Sequence, residues 1–443
     1  MRIAIVGTGI SGLAAAHRLR RWHDLVLFEA DDRIGGHTHT HRVEVGGREV
    51  PVDTGFIVFN DWTYPRFIAL LEELDVAWQF SDMSFSVRSE QTGLEYNGTS
   101  LDTLFAQRRN LFRPEFLGMV RSILRFNKEA PKLLEEEGDP WSGPTLGELL
   151  ERGRYGRAFE RDYILPMGAA IWSATRERML AMPARFFVRF FVNHGMLSVS
   201  ERPTWRTVTG GSSSYIEPLI APIAPCVRLN RPVERVKRDG DHVLISSAGE
   251  TEVFDHVIFA CHSDQALGML ADPSDAEREV LGALPYQANE ALLHTDASIM
   301  PRSKKAWAAW NYHLLDTDRE GQAPVAVTYW MNKLQNIEAS EELLVTLNRS
   351  ADVDPSKVLR TLHYHHPVFT REGVRAQGRW EEISGVRNTS YGGAYWFNGF
   401  HEDGVRSGER VAEALGAKWF PGERDQDRQL HAAGIPIGVG AHG

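Results

Sequence analysis

Apolar runs of strand length flank an apolar helix at the start of the chain. Arg2–Val6 and Asp24–Phe28 read as strands, and the residues between them have helical spacing. The first strand leads into the glycine pattern Gly7-Thr8-Gly9-Ile10-Ser11-Gly12. Such glycines permit a tight turn and a close backbone approach, while the following helix offers unpaired N–H groups to phosphates. The pattern predicts a dinucleotide-binding unit in which Glu29, after the second strand, binds a ribose.

Periodicity predicts further elements along the rest of the chain. The predicted helices are Asp61–Leu74, with Asp61 as its cap, Pro114–Leu134 and Thr145–Arg152. The predicted strands include Ala291–Thr295 and Val325–Trp330. The apolar segment Arg185–Val192 is expected to be buried or to line a cavity, because its apolar pairs surround the arginines.

Composition and charge narrow the class of protein. With 443 residues, the chain is long enough for two packed modules. Its formal charge of −10 disfavours nucleic acid as a partner, since phosphate binding rewards a basic surface. The two cysteines, Cys226 and Cys261, are too few for a disulfide framework or a structural zinc site. No leader and no apolar run of membrane length stand out, so we expect a cytoplasmic protein.

The residues after the second strand indicate which dinucleotide binds. Glu29-Ala30-Asp31-Asp32-Arg33-Ile34-Gly35-Gly36 has the pattern E-x-x-x-R-x-G-G. It resembles the second fingerprint of the FAD-dependent superfamily of amine oxidases, phytoene desaturases and protoporphyrinogen oxidases. Arg33 can neutralise pyrophosphate charge, and the glycine pair lets the backbone pass close to a flavin. The resemblance implies FAD as the cofactor, bound non-covalently because no cysteine lies in a segment placed beside the ring.

Later segments resemble the same superfamily in the same order. They are Val52–Ile57 beside the flavin ring, the turn Thr209–Tyr215 with a helix over Ile216–Ile220, Pro232–Val236 at the adenine, and Gly404–Gly408 at the ribityl chain. The cofactor-binding residues that the resemblance implies are Gly7, Gly9, Ile10, Ser11, Gly12, Glu29, Ala30, Arg33, Gly35, Gly36, His37, Thr38, Gly55, Phe56, Ile57, Val233, Ala394, Glu402, Asp403 and Val405.

The resemblance also implies an α/β fold of two domains. A discontinuous Rossmann-type FAD-binding domain is expected from residues 1–60, 205–265 and 385–420. A discontinuous α+β substrate domain is expected from residues 61–204 and 266–384. Residues 421–443 are polar and then glycine-rich, which is typical of a loosely ordered tail.

Three short segments of the sequence point to a narrower group within the superfamily. Ala309–Tyr312, Thr328–Gln335 and Gly399–Gly404 resemble bacterial predicted NAD/FAD-binding proteins, which are similar to the N-terminal flavoprotein-like region of plant cyclopropane fatty acid synthases. This resemblance implies hydride transfer to flavin N5 from an apolar, lipid-linked, modified fatty acyl substrate, with a methyltransferase as a partner. Two alternatives stay open: an oxidase of an amine, a polyisoprenoid or a porphyrinogen, and a non-catalytic flavin-binding accessory protein of a lipid methyltransferase.

Two departures from the amine oxidase pattern bear on the chemistry. The strand Asn289–His294 has Glu290 or a neighbour where many amine oxidases carry lysine, and Gly392–Trp396 lacks the acid that usually binds the ribityl hydroxyls. The first departure argues against amine oxidation. A desaturation also needs a base, and the candidates, none of which the sequence assigns, are Glu290, His194, His294, His313 and Tyr395.

Two further patterns have competing interpretations. The alternating histidines are His37, His39 and His41, then His363, His365 and His366, and because no carboxylate at ligand spacing accompanies them, no metal site is expected.

Gln107–Lys128 carries six basic residues against the single acid Glu115. This segment either contacts anionic lipid, which would place the protein at the inner face of a membrane, or covers the substrate cavity with its arginines solvated. We favour the second interpretation.

Overall fold

A computed structural model describes residues 1–135, 143–172, 174–198, 200–315 and 326–417. The predicted tail at 421–443 and Val325, the first residue of a predicted strand, lie outside the described residues. None of the helices formed by the described residues is long and apolar enough to cross a lipid bilayer.

The elements of the described residues alternate between strands and helices. The strands are β1 (Arg2–Val6), β2 (Asp24–Phe28), β3 (Thr40–Val45), β4 (Arg48–Asp53), β5 (Phe59–Asn60), β6 (Trp78–Phe80), β7 (Phe85–Ser89), β8 (Glu95–Asn97), β9 (Trp205–Val208), β10 (Val227–Arg228), β11 (Val233–Asp239), β12 (His242–Ser247), β13 (Glu250–Phe254), β14 (His256–Phe259), β15 (Tyr286–His294), β16 (Trp310–Leu314), β17 (Ala326–Trp330), β18 (Leu344–Leu347), β19 (Val358–Pro367) and β20 (Thr389–Tyr391). The helices are α1 (Ile10–Leu19), α2 (Pro65–Glu73), α3 (Leu101–Leu104), α4 (Pro114–Glu129), α5 (Leu146–Gly153), α6 (Arg157–Phe159), α7 (Leu165–Trp172), α8 (Arg176–Ala181), α9 (Ala184–Asn193), α10 (Ile216–Ile220), α11 (Ser263–Met269), α12 (Asp275–Gly282), α13 (Met331–Leu334), α14 (Arg371–Gln377), α15 (Trp380–Ile383) and α16 (His401–Ala414).

A five-stranded parallel sheet has the strand order β10-β2-β1-β14-β20. Its central strand β1 pairs Ile3 with Leu25 on one side and with His256 on the other. Parallel strands end at a common edge, so the glycine turn after β1 lies at the carboxyl edge of the sheet, where such folds bind ligands. The division into domains stays a prediction. All five strands come from the three segments predicted to form the FAD-binding domain, which supports it.

Helices α1 and α16 pack so closely that two glycines of α16 leave no room for a side chain. A Cβ added to Gly404 would lie 2.5 Å from Cγ2 of Ile10, and one added to Gly408 would lie 2.2 Å from the carbonyl oxygen of Ser11. Because contacts advance in the same direction along both helices, the two are parallel. Their N-termini, which carry unpaired N–H groups and partial positive charge, therefore lie at the same end.

A seven-stranded mixed sheet has the order β19-β15-β18-β17-β16-β7-β8. One face packs on an aromatic core that includes Phe126, Phe159, Phe187 and Phe191, all fully buried. Along β15, Ala291 and Leu293 belong to this core. Since side chains alternate along a strand, the residues between them face the other side of the sheet.

The predicted elements are mostly confirmed, with two corrections. The helix predicted from Asp61 begins at Pro65, after Tyr64, while Asp61 accepts a hydrogen bond from the backbone of Thr204 at 2.8 Å. The helix predicted to run to Leu134 ends at Glu129 and continues as a 3-10 turn from Ala130, beside Pro131, which donates no backbone hydrogen bond. The predicted helix over Ile216–Ile220 is confirmed.

Candidate functional site

The first glycine turn is shaped by contacts at its two outer glycines. Gly7 has a φ of +103°, and an added Cβ would lie 2.8 Å from the carbonyl oxygen of Ala260. A Cβ at Gly12 would lie 2.1 Å from the oxygen of Gly7. Gly9 has an ordinary φ of −66° and no atom within 4 Å of an added Cβ. Protein packing therefore requires glycine at the outer positions, and something other than protein packing must explain Gly9.

The second glycine pattern lies directly beside the first. The backbone N–H of Gly35 donates to the carbonyl of Thr8 at 3.1 Å, and a Cβ on Gly36 would lie 3.0 Å from Cα of Gly9. The Arg33 guanidinium donates to the carbonyls of Gly36 at 2.8 Å and of Thr38 at 3.2 Å. Arg33 thus holds the glycine pair in place, and its contact with a pyrophosphate stays a prediction.

Glu29 is held at the carboxyl end of β2. One carboxylate oxygen accepts the backbone N–H of Thr8 at 3.0 Å and its hydroxyl at 2.5 Å, and the other accepts the N–H of Asp31 at 3.0 Å. The neighbouring Ala30 is exposed, and Val233 is half-buried at the start of β11. An acid oriented in this way beside the glycine turn fits the predicted role of binding a ribose.

The predicted ring-side segment runs along the residues that follow the glycine pair. Phe56 donates its N–H to the carbonyl of His37 at 2.7 Å, and a Cβ on Gly55 would lie 2.1 Å from that oxygen. Phe56 also stacks on His401 with ring centres 3.8 Å apart, while Ile57 is buried behind it. The close backbone approach explains why only glycine fits at position 55.

A chain of side-chain hydrogen bonds joins these loops to the start of α16. The hydroxyl of Thr38 lies 2.5 Å from that of Tyr215, which lies 2.8 Å from Nε2 of His401. Burial lowers the pKa of His401 to about 3, so the imidazole is neutral. The chain fixes the glycine pair relative to the N-terminus of α16.

The three predicted cofactor residues on α16 direct their side chains into the protein. The Glu402 carboxylate accepts the N–H groups of Arg66 at 3.1 Å and Phe67 at 2.9 Å, which caps α2. Asp403 accepts the N–H of Phe400 at 2.9 Å, and Val405 is fully buried in the core. Only their backbone groups, at the start of α16, are left to face a cofactor. The contribution of these residues to cofactor binding stays a prediction.

Burial raises the pKa of Glu402 to about 8, from an unfolded value near 4.5. Because the folded pKa is the higher one, this group stabilises the fold below about pH 4.5 and the stabilisation is lost as the pH rises to 8. Glu402→Gln should therefore flatten the fall in unfolding free energy between pH 5 and 8, by up to about 1.4 kcal/mol per pH unit. Urea denaturation at several pH values measures this. Glu413→Gln, at an exposed position of the same helix, is the matched control, and equal slopes for wild type and Glu402→Gln would contradict the assignment.

Imidazoles from three distant segments meet beside the glycine pair. The ring of His37 lies 5.4 Å from Tyr364, 5.6 Å from His366 and 6.5 Å from His262. Nε2 of His37 is buried without a hydrogen-bond partner, and burial lowers the pKa of His366 to about 4. We call His37, His262 and His366 the imidazole cluster. Its members are neutral and can each accept a proton.

Three of the five candidate bases lie on the face of the seven-stranded sheet that is turned away from the imidazole cluster. Asn289 bonds to His366 at 3.1 Å, so the Asn289–Ala291–Leu293 side faces the imidazole cluster. Glu290 and His294 alternate with these residues and face away. His313 joins His294 in a buried polar line through Thr328 and Thr346, with each step 2.8 or 2.9 Å long. Glu290 and His294 therefore lie on the face away from the imidazole cluster, and the polar line places His313 on that face with them.

The two other candidate bases, His194 and Tyr395, are both buried. His194 bonds to the carbonyl of Phe190 at 2.9 Å, and burial lowers its pKa to about 4. Tyr395 is buried against Trp396 with ring centres 5.2 Å apart, and burial raises the pKa of its hydroxyl far above the ordinary value. Sequence reasoning missed His262 and His366 as candidate bases. The alternation of histidines on β19 relates His363 to His365 and not to His366, whose side chain lies on the other face of the strand.

Aromatic side chains on α9 stack against the residue that precedes α16. We call Trp172, Phe186, Phe190, Phe369 and Phe400 the aromatic wall. Phe190 stacks on Phe400 with ring centres 5.1 Å apart and lies 4.7 Å from Trp172, while Phe186 stacks on Phe369 at 5.3 Å. The next residue, His401, contacts the predicted ring-side Phe56. The buried wall is therefore joined, through Phe400 and His401, to the segment predicted to contact the flavin.

The residues present fit a dinucleotide cofactor such as FAD. The parallel N-termini of α1 and α16 direct N–H groups and positive dipole ends to one place, which suits a diphosphate. Gly9 has no packing reason to be glycine, but a closely approaching ligand would supply one. The buried Nε2 of His37 has no protein partner, so a bound ring can supply its hydrogen bond.

Thiol chemistry and metal binding depend on the cysteines and on clusters of metal-binding side chains among the described residues. Both cysteines are free thiols, and burial raises the pKa of Cys261 to about 12. Within the described ranges, no group of three or more histidine, cysteine, aspartate or glutamate side chains is arranged to hold a metal ion.

Comparison with solved structures places the fold among known enzymes. The chain is similar to a cyclohexylamine oxidase from Brevibacterium oxydans IH-35A, with a TM-score of 0.66, 17% identity, and coverage of 94% of this chain and 98% of that one. It is also similar to a CLA-producing fatty acid isomerase from P. acnes, with a TM-score of 0.67, 16% identity and the same coverage. These likenesses confirm the predicted α/β fold class.

Comparison of sequences gives the family. The flavin-containing amine oxidase A of Canis lupus familiaris is 24% identical over 277 residues, which cover 58% of this chain. The chain spans about half of that curated relative, 48% of its length. A family model described as flavin containing amine oxidoreductase matches residues 10–416. This match confirms the predicted superfamily and the predicted cofactor, FAD: the chain belongs to the family of flavin-containing amine oxidoreductases.

Proposed function

We propose that this chain is an FAD-dependent oxidoreductase that dehydrogenates an apolar, acyl-lipid substrate. The observation that carries the proposal is the aromatic wall, which places Phe190 and Phe400 beside the segment predicted to contact the flavin ring. Stacked aromatic rings bind alkyl chains through apolar contact and exclude water, but they offer nothing to a charged group other than ring faces. One protein of similar structure is a fatty acid isomerase, which supports an acyl chain in this fold.

The chain's own residues have distinct tasks in such a reaction. FAD, when bound, supplies the acceptor for two electrons. The two glycine turns and the helix N-termini hold the cofactor, and the aromatic wall orients the acyl chain. Dehydrogenation also releases a proton, and we assign its acceptance to the imidazole cluster, in which His366 is neutral because burial lowers its pKa to about 4.

Amine oxidation is the second candidate, since the family and the similar cyclohexylamine oxidase favour it. The face of β15 next to the imidazole cluster presents Asn289, whereas many amine oxidases of this superfamily carry lysine in the matching strand. A polyisoprenoid or porphyrinogen substrate would also suit an apolar wall. A non-catalytic accessory role and a methyltransferase partner rest on the sequence resemblance alone. An acyl-lipid substrate would further require contact with a membrane surface, where such lipids reside.

The test is anaerobic mixing of the purified, FAD-loaded protein with two panels of compounds. We expect phospholipids with methylated or unsaturated acyl chains, presented in detergent micelles, to bleach the flavin absorbance. Primary and secondary amines should leave it unchanged. Bleaching by amines alone would overturn the lipid proposal, and no bleaching by either panel would favour the accessory protein. Mass spectrometry of the lipid after mixing should show a loss of two hydrogens.

A further inference from the structure

One helix exposes apolar side chains that its packing does not use. Helix α4 buries Phe116, Met119 and Phe126 in the aromatic core. On its outer side, Leu117 is 43% and Leu124 is 57% exposed, and Phe112, just before the helix, is 85% exposed. Single exposed apolar residues are ordinary, but several on one short segment indicate a surface that contacts something apolar.

Basic residues are interleaved with these apolar ones. Leu117, Arg121, Leu124 and Lys128 follow one another at helical spacing, so they form a single stripe along the outside of α4. The other basic residues of the segment are Arg108, Arg109, Arg113 and Arg125. Among the described residues, no acidic side chain pairs with Arg113, Arg121 or Lys128. We call Phe112, Arg113 and this stripe the basic face.

Two acids, Glu115 within the segment and Glu129 just after it, do not neutralise the basic face. Glu115 lies 3.2 Å from Arg161, a residue outside the segment. Glu129 accepts the hydroxyl of Tyr155 at 2.8 Å and lies 3.8 Å from Arg125. The local charge is therefore positive, although the whole chain has a formal charge of −10. The excess of positive charge on the basic face is thus opposite in sign to the net charge of the protein.

We propose that the basic face docks on a bilayer of anionic phospholipids. Phe112, Leu117 and Leu124 would enter the acyl boundary while Arg121 and Lys128 contact lipid phosphates, which is how interfacial helices bind membranes. The basic residues favour an anionic surface, and the protruding phenyl and leucine side chains favour a bilayer over a nucleic acid, which offers no apolar layer. This proposal takes up the alternative to the solvated arginines that the sequence analysis favours.

The position of the basic face links it to the substrate site. Helix α4 continues into the 3-10 turn Ala130–Leu134, which packs against α9. Helix α9 carries Phe186 and Phe190 of the aromatic wall. We infer that an acyl chain leaves the bilayer beside α4 and reaches the wall along α9, and this route rests on the proposed function. Docking itself does not depend on which substrate is oxidised.

The test is co-sedimentation of the FAD-loaded protein with vesicles of phosphatidylcholine alone or mixed with phosphatidylglycerol. Wild type should bind the anionic vesicles and lose binding as salt rises. Phe112→Ser combined with Leu124→Ser should weaken binding by about tenfold or more, and Arg121→Gln combined with Lys128→Gln should remove the preference for anionic lipid. Val253→Ser combined with Val386→Ser, at exposed valines elsewhere, is the matched control and should bind like wild type.

The outcomes separate docking from the proposed function. Flavin bleaching by lipid in detergent micelles should be equal in wild type and in the Phe112→Ser, Leu124→Ser variant, because micelles need no docking. No binding of wild type to anionic vesicles, or binding that all four substitutions leave unchanged, would overturn the docking proposal. Loss of a dimer in the apolar variant, seen by light scattering, would also overturn it, since the basic face would then bind a second copy of the chain.

Discussion

Gly9→Asp should give a folded protein that purifies without FAD. Gly9 is the N-cap of α1, its φ of −66° suits any residue, and an added Cβ meets no protein atom within 4 Å. Aspartate is a favoured N-cap residue, so its carboxylate can accept the free N–H groups of α1. The same carboxylate would repel the pyrophosphate that we expect at that helix end. Flavin absorbance per protein should fall to background while the unfolding temperature of the apoprotein stays near that of wild-type apoprotein.

Two other glycines provide the comparison for this experiment. Gly98→Asp makes the same change at an exposed glycine with free surroundings, and it should keep its flavin. Gly12→Ala adds a Cβ only 2.1 Å from the oxygen of Gly7, so it should lower the unfolding temperature and the flavin content together. A Gly9→Asp protein that is yellow and fully loaded would show that the pyrophosphate does not lie at α1.

Elements defined by neighbours in sequence could be predicted from the sequence. β1 and β2 have the predicted bounds, because apolar strands flanking a glycine turn form a local pattern. The start of α2 was predicted wrongly because its cap is Glu402, which is far away in the chain. Local reasoning gave that role to Asp61, a favourable capping residue whose carboxylate instead bonds to Thr204.

The cofactor turns were accessible to sequence reasoning, and the proton-accepting groups were not. Glycines at fixed spacing report local backbone geometry, as Gly7 and Gly12 show. The imidazole cluster instead depends on which residues of β15 and β19 share a face, and a shift of one residue reverses the answer. The sequence suggests Glu290 as a candidate base on β15, whereas the pairing of β15 with β19 directs Asn289 towards His366. The three segments that form the imidazole cluster meet only in the folded protein, so none of them shows in its own sequence that the cluster exists.

Phe400→Glu should abolish reduction of the flavin by acyl lipid while the flavin stays bound. Phe400 stacks on Phe190 at 5.1 Å, and its backbone N–H, which Asp403 accepts, is unaffected by the change. A carboxylate in the aromatic wall must either lose its hydration or keep water where the acyl chain lies. We expect the rate constant for anaerobic bleaching by lipid to fall at least roughly 100-fold. Stopped-flow absorbance measures this rate and the flavin content in one experiment.

The same substitution distinguishes the two substrate classes by the sign of its effect. A protonated amine would be attracted to the new carboxylate, so amine-dependent bleaching should occur at lower amine concentration in Phe400→Glu than in wild type. Phe400→Leu keeps an apolar surface and should retain most of the lipid-dependent rate. Phe80→Glu makes the matched change at a phenylalanine that is 64% exposed, and it should have no effect. If acyl lipid reduces the flavin of Phe400→Glu at the wild-type rate, the acyl chain does not lie on the aromatic wall, and the observation that carries the lipid proposal is lost.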